Sequence, residues 1–428
     1  MENNQFSNDT NHPCVLPEDI TEHQWRIYYV TIWWLEGLGA VMLGMCGIFL
    51  NLTTIFCLVG SDLASSFFNW LLVCLSVFDS LLLGNGILEA FRNHLGSHAV
   101  HNYVFAVFLY PLRNIVMCCS IYTTVALALE RYNALVKPKS HHFTRLRLGK
   151  PDLQNYFKFH YQRLIKYICP IVILSTVYSI PRWLELDVEN HLICDETEPI
   201  LEYSNDLSNS TTSECKNEYE INVNRLRTND KYILWYLNIA NLIITTIIPL
   251  ISLIYLNAKV YERFKEFIKR QEVSLTNATS QTQEKIKKRE KDMTQQILIL
   301  FSIVILFGVF HILRIVLNVE EFLYFDERKA AKEKGCEWLQ YWTIIASPIS
   351  HFLLQINSSV NFVIYCYFNK SFRSETSSTF NSAIAILSIN RANRRTYTNN
   401  NEIEGIKSGE ASMQENIELN AINGPALI

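Results

Sequence analysis

Charges stand where a long apolar segment should exclude them, and their spacing is the first clue to chemistry. In the stretch Tyr110–Pro138, Arg113 lies near the start and the pair Glu130-Arg131 near the end, eighteen residues between the two arginines. On a helix that is close to five whole turns, so both fall on one face about 27 Å apart. A bilayer core is about 30 Å thick. One helix would then carry a charge near each mouth of a membrane protein. Asp79 stands mid-way along a second apolar stretch, with Asn51, Asn357 and Asn361 as partners for a hydrated polar cluster with room for a sodium ion. Toward one end, Glu89, Arg113, Asn114, Met117, His311, Arg314, His351 and Gln355 are candidate walls of a water-filled cavity. A structural reading competes throughout: a polar network that only locks helices, and an Arg314 that snorkels.

Enzyme chemistry is poorly supported. There is no G-x-S-x-G, no HExxH, and no paired histidine–aspartate set at one membrane depth. Nor do the eleven cysteines form a CxxC or a metal-ligand cluster, and most fall inside apolar stretches as small hydrophobes.

The elements that must position these residues are seven apolar blocks, at about 28–59, 67–91, 102–136, 164–184, 232–256, 296–319 and 339–368. The expected fold class is an all-α membrane protein, a seven-transmembrane helix bundle. The expected organisation is an N-terminal tail over 1–27, the bundle over 28–368, a short amphipathic helix over 369–381 with Phe372 dipping into the interface, and a disordered tail over 382–428. Lys and Arg crowd the loops after blocks three and five, while residues 1–27 hold only Arg26 against five acids. The positive-inside rule then sets the N-terminus outside and the tail inside, in the plasma membrane. The loop between blocks one and two lacks basic residues and does not add to that orientation. With no internal repeat, a transporter built of duplicated halves is disfavoured. Asn8 and Asn209 are glycosylation sequons on the outer side. Four cysteines face outward, and Cys194–Cys215 and Cys14–Cys336 are the preferred of three pairings.

Taken together, Asn51, Asp79, Glu130-Arg131-Tyr132, Pro249, Phe307 and Asn361-Phe-Val-Ile-Tyr365 resemble the rhodopsin-like G-protein-coupled receptors over about residues 25–380. Several stretches resemble invertebrate FMRFamide-type neuropeptide receptors: Tyr110-Pro111 with Asn114, Ser179 to Glu185, Leu253 to Asn257, Phe310-His311 with Arg314, and Ser358 to Tyr365. The resemblance implies a switch at Glu130, Arg131, Tyr132, Asn361 and Tyr365, a heterotrimeric G protein as partner, and a receptor kinase and arrestin acting on Ser374, Thr376, Ser377, Ser378 and Thr379. Membrane lipids are further partners and nucleic acid is not. Departures are Phe362 for the proline of the last motif, Leu313 for the helix-six kink proline, His311 for the usual tryptophan, and Ala106 for the bridging cysteine of helix three. The acid-rich segment from Arg182 to Lys231 sets a negative field above the cavity. It suits a ligand ending in Arg-Phe-amide, its amide meeting Arg113 and its arginine meeting Glu185 or Glu89. The rival readings are a receptor of this fold for a non-peptide ligand, and a membrane transporter.

Overall fold

The structure, a computed structural model, describes residues 15–17, 20–59, 67–94, 99–136, 153–194, 215–275, 280–370 and 372–381. Long helices dominate: α1 (Glu22–Val59), α2 (Phe67–His94), α3 (His101–Val136), α4 (Leu153–Ser179), α5 (Asp230–Arg270), α6 (Ser280–Leu323), a short α7 (Phe325–Glu333) and α8 (Tyr341–Phe368). α1 to α6 are long and apolar enough to cross a bilayer. At 28 residues α8 is also long enough, but Gln355, Asn357, Ser358, Ser359 and Asn361 dilute its apolar character. Residues 372–381 form a further helix, α9.

The helices around α3 form a ring in which α1 packs on α2, α2 on α3, α3 on α5, α5 on α6 and α6 on α8, and α8 returns to α1 and α2; α4 leans on α3. α1 begins at a capping box, where Thr21 accepts from the Gln24 backbone and Gln24 reaches back. It then bears glycines three residues apart against α2. A Cβ on Gly44 would meet Ile87 at 2.7 Å, and one on Gly47 would meet Leu83 at 2.7 Å and also strike Ser359 of α8. Small residues allow this three-helix approach where no hydrophobic drive separates protein from lipid.

Before Pro249, α5 widens into π-helix over Ile233–Ala240 and Ile243–Ile247. Proline cannot donate to the turn before it, so neighbouring carbonyls need other donors. Tyr122 of α3 donates to the Ile244 carbonyl at 2.8 Å. α6, with Leu313 in place of proline, runs uninterrupted over 44 residues. It extends well before the apolar block at 296, as α5 extends beyond 256, because charged helical turns outside a membrane carry no apolar signal. The nine-residue α7, six of whose residues are charged, escaped the apolar pattern for the same reason.

Two small sheets decorate one end. β1 (Val15–Pro17) pairs in parallel with β4 (Glu337–Leu339), and β2 (Leu186–Cys194) pairs antiparallel with β3 (Cys215–Val223). In α9 Phe372 and Thr376 are buried, and the Thr376 hydroxyl donates to the Phe372 carbonyl at 2.8 Å, whereas Ser374, Ser377 and Ser378 are exposed.

Candidate functional site

α3 carries the site along its length. Near its start the helices enclose a cavity of about 710 Å³, lined by Glu89, Arg92, Arg113, Asn114, Met117, Arg182, Arg227, Arg314, Glu321, His351 and Gln355 among others. This volume lies within the usual range for ligand pockets. Of the nine residues expected to line it, seven do so: Glu89, Arg113, Asn114, Met117, Arg314, His351 and Gln355. His311 and Glu185 are absent from the wall.

Glu185 is the larger correction. It is fully buried, and its carboxylate is held by hydrogen bonds from Tyr110 at 2.5 Å, Tyr232 at 2.7 Å, and Arg182 and Arg227 each at 3.2 Å. Three donors converge on Oε2 and one on Oε1, and with the side chain fully buried the carboxylate does not face the cavity. It ties α3, α5 and the turn after α4 together instead. His311 is likewise buried, its ring stacked on Phe307 at 4.0 Å. Phe307 belongs to the apolar cluster of Ile121, Ala128, Leu253 and Leu256 that joins α3, α5 and α6.

The cavity charges are mostly spoken for. Arg113 and Glu89 form an ion pair with each other, so Arg113 is counterion to Glu89 as well as part of the wall. Arg182 and Arg227 share Glu185. His351 Nδ1 lies 2.7 Å from Glu36 Oε1 and so joins α8 to α1. Arg314 differs. Its hydrogen bond goes to the Met117 sulfur at 3.4 Å, and among the described residues it makes no ion pair. Glu36, Arg227 and Glu321 were not foreseen, because each sits in or beside a segment whose inward face depends on packing.

Midway along α3, Asp79 is buried at 1% exposure. Ser120 donates to its Oδ1 at 2.6 Å and Asn361 to its Oδ2 at 2.7 Å. Asn51 turns instead to the Ser358 carbonyl at 3.1 Å, and Asn357 is only half-buried and bonds nothing among the described residues. Ser120 takes the place expected for Asn51 and Asn357. Asn51 Oδ1 and Ser76 Oγ are buried without partners. An oxygen-rich pocket beside a carboxylate suits a hard cation or a water, so the residues present fit the expected sodium ion.

At the far end Glu130 is buried and accepts from Arg163 of α4 at 2.8 and 3.1 Å, with Tyr167 at 3.4 Å. Its neighbour Arg131 lies over the Phe68 ring at 3.6 Å and donates to Gln296 of α6. Glu130 and Arg131 each also link α3 to another helix, to α4 and to α6. Tyr132 packs against Val260, Phe264 and Ile297, joining α3 to α5 and α6, and Tyr365 is buried in α8.

Cys336 is disulfide-bonded, and the register sets Val15 beside Glu337. Cys14, its expected partner, precedes Val15 and lies outside the described residues, as do Asn8 and Asn209. Cys194 and Cys215 are backbone partners at the end of the β2–β3 pair that residues 195–214 connect.

No protein-family model matches the chain. It is similar to the FMRFamide receptor of Drosophila melanogaster, 27% identical over 351 residues, which cover 79% of this chain and 52% of that protein. The chain therefore spans about half the length of that curated relative. With six bilayer-length apolar helices packed as a bundle, the likeness supports a G-protein-coupled receptor of the FMRFamide-receptor type, at a distance.

Proposed function

We propose that this protein is a multi-pass plasma-membrane receptor for an extracellular neuropeptide of the Arg-Phe-amide class, signalling to a heterotrimeric G protein. The likeness to an FMRFamide receptor carries this reading. Three arrangements support it. A ligand-sized polar cavity opens beside α3, and the opposite end of the same helix bears Arg131 linked to α6. Between them lies the Asp79 cluster, which couples α2, α3 and α8. A ligand that shifts α3, α6 or α8 at the cavity would alter the Arg131–Gln296 contact, which is the differential interaction a two-state receptor requires.

In this reading α8 is the seventh span, the N-terminus is outside, and residues 369–381 follow the bundle on the inner side. Asp79, Ser120, Ser358 and Asn361 would hold the sodium ion, which supplies a positive charge beside the buried carboxylate and so biases the resting arrangement. The outer disulfides are Cys14–Cys336, supported by the bonded state of Cys336 and the Val15–Glu337 register, and Cys194–Cys215, supported by their facing backbone positions. Exposed Ser374, Ser377 and Ser378 are the better kinase and arrestin sites than Thr376.

The test is G-protein activation in cells expressing the full chain, challenged with a panel of Arg-Phe-amide peptides. Saturable activation that is absent from untransfected cells is the expected result. A flat response at confirmed surface expression, or a response confined to non-peptide ligands, removes the peptide reading.

A further inference from the structure

The cavity contains more cations than partners for them. Glu89 and Glu185 together engage Arg113, Arg182 and Arg227, Arg92 lies over the Phe105 ring at 3.9 Å, and Arg314 has only a thioether sulfur, a weak acceptor, for its five N–H donors. The charged groups that face Arg314 are Arg113 and Arg182, both cations, with the Cys118 thiol and Tyr178 phenol beside them. Glu321 is the counterpart. It lines the same cavity and has no basic group within ion-pair distance among the described residues; Arg328, the nearest cation named for it, is bound to Glu320 at 2.7 Å, and Asn238 is its hydrogen-bond neighbour.

Arg314, Leu317, Asn318 and Glu321 all line the cavity, and their spacing of three, four and seven residues makes one stripe on α6. Seven residues of helix advance about 10.5 Å. Arg314, bonded only to a thioether, and Glu321, bonded only to the Asn238 amide, thus stand two turns apart on α6 without an ion pair among the described residues, with an apolar residue and an amide between them. A ligand satisfying both needs an acceptor at its buried end and a cation about 10 Å behind it. A peptide whose penultimate residue is arginine has that shape: one residue of extended chain plus the side-chain length separates the guanidinium from the C-terminal carbonyl by about 10 Å.

We infer that this stripe of α6 reads the ligand's C-terminal dipeptide, Arg314 binding the terminal carbonyl and Glu321 the guanidinium of the preceding basic residue. The assignment rests on the peptide-receptor reading. It replaces the expected pairing with Arg113 and either Glu185 or Glu89, since all three are engaged within the protein.

The test uses the full chain in cells with three probes: FMRFamide, the same peptide with citrulline for arginine, and the same peptide ending in phenethylamine, which lacks the terminal carboxamide. In the wild type each altered probe should be at least about tenfold weaker, about 1.4 kcal/mol. Glu321→Gln should lose the citrulline discrimination yet keep the carboxamide discrimination, and Arg314→Met should do the reverse. Arg314→Lys and Glu321→Asp, which retain charge, should restore part of each, and surface labelling separates misfolding from lost contact. A wild type that responds to FMRFamide, with both discriminations surviving in the variants, overturns the assignment alone. Silence of the wild type to all three probes overturns it together with the Arg-Phe-amide reading.

Discussion

Glu185 shows how a residue suited to a ligand can be claimed by the fold. A carboxylate in an acid-rich outer segment looks available to a cationic ligand, but two arginines and two tyrosines converge on it from three helices. Removing its charge would leave Arg182 and Arg227 repelling each other beside an unfilled acceptor position, and breaking a buried pair this way costs about 3–5 kcal/mol. Glu185→Gln should therefore lower the melting temperature of the solubilised protein and its surface level. Agonist potency among the molecules that do reach the surface should stay within about threefold. A variant that folds normally while losing potency would return Glu185 to the ligand.

At the scale of elements, the inner contacts decide which helices move together. Glu130 anchors α3 to α4 through Arg163, while Arg131 ties α3 to α6 through a neutral glutamine and rests on Phe68 of α2. A link to a neutral acceptor is weaker than one to a carboxylate. Gln296→Leu should raise ligand-independent G-protein activation, and Gln296→Glu should lower it, both read as basal second-messenger level at matched expression. Equal basal signalling in both would show that the α3–α6 contact is not part of the switch. The α1–α2–α8 junction calls for a different experiment. Gly47→Leu drives side-chain carbons into Leu83 and Ser359, and overpacking of this kind costs about 1–3 kcal/mol or more. It should reduce folded protein at the surface, and Gly84→Ala, whose added Cβ would touch only Ile48 at 4.0 Å, should not.

At the scale of the whole molecule, the cavity end is stapled by chain segments far apart in sequence. β1 and β4 join the start of the described chain to the approach of α8, next to the disulfide-bonded Cys336. Such a bridge restrains the unfolded chain over a long loop, an effect of about 2–5 kcal/mol when removed. Cys336→Ser should lower thermal stability, and non-reducing peptide mapping should recover the Cys14 and Cys336 peptides as one species. Recovery of Cys336 with Cys194 or Cys215 would redraw the mouth of the cavity.

The sequence by itself determined the helical bundle, the charge at each end of α3, and seven of the residues that line the cavity. Apolar runs of bilayer length and ionisable residues within them are one-dimensional signals that survive without neighbours. Arg113, Arg314, His351 and Gln355 were legible for that reason. What it could not determine was which charges neutralise which, because pairing depends on distances between helices distant in the chain. The Glu89–Arg113 pair, the burial of Glu185, the ion pair of Glu130 with Arg163, and the substitution of Ser120 for Asn51 at Asp79 are all decisions of tertiary packing. So is the residue left over: with Arg113, Arg182 and Arg227 paired to carboxylates and Arg92 set over the Phe105 ring, Arg314 stands out, with Glu321 two turns along the same helix.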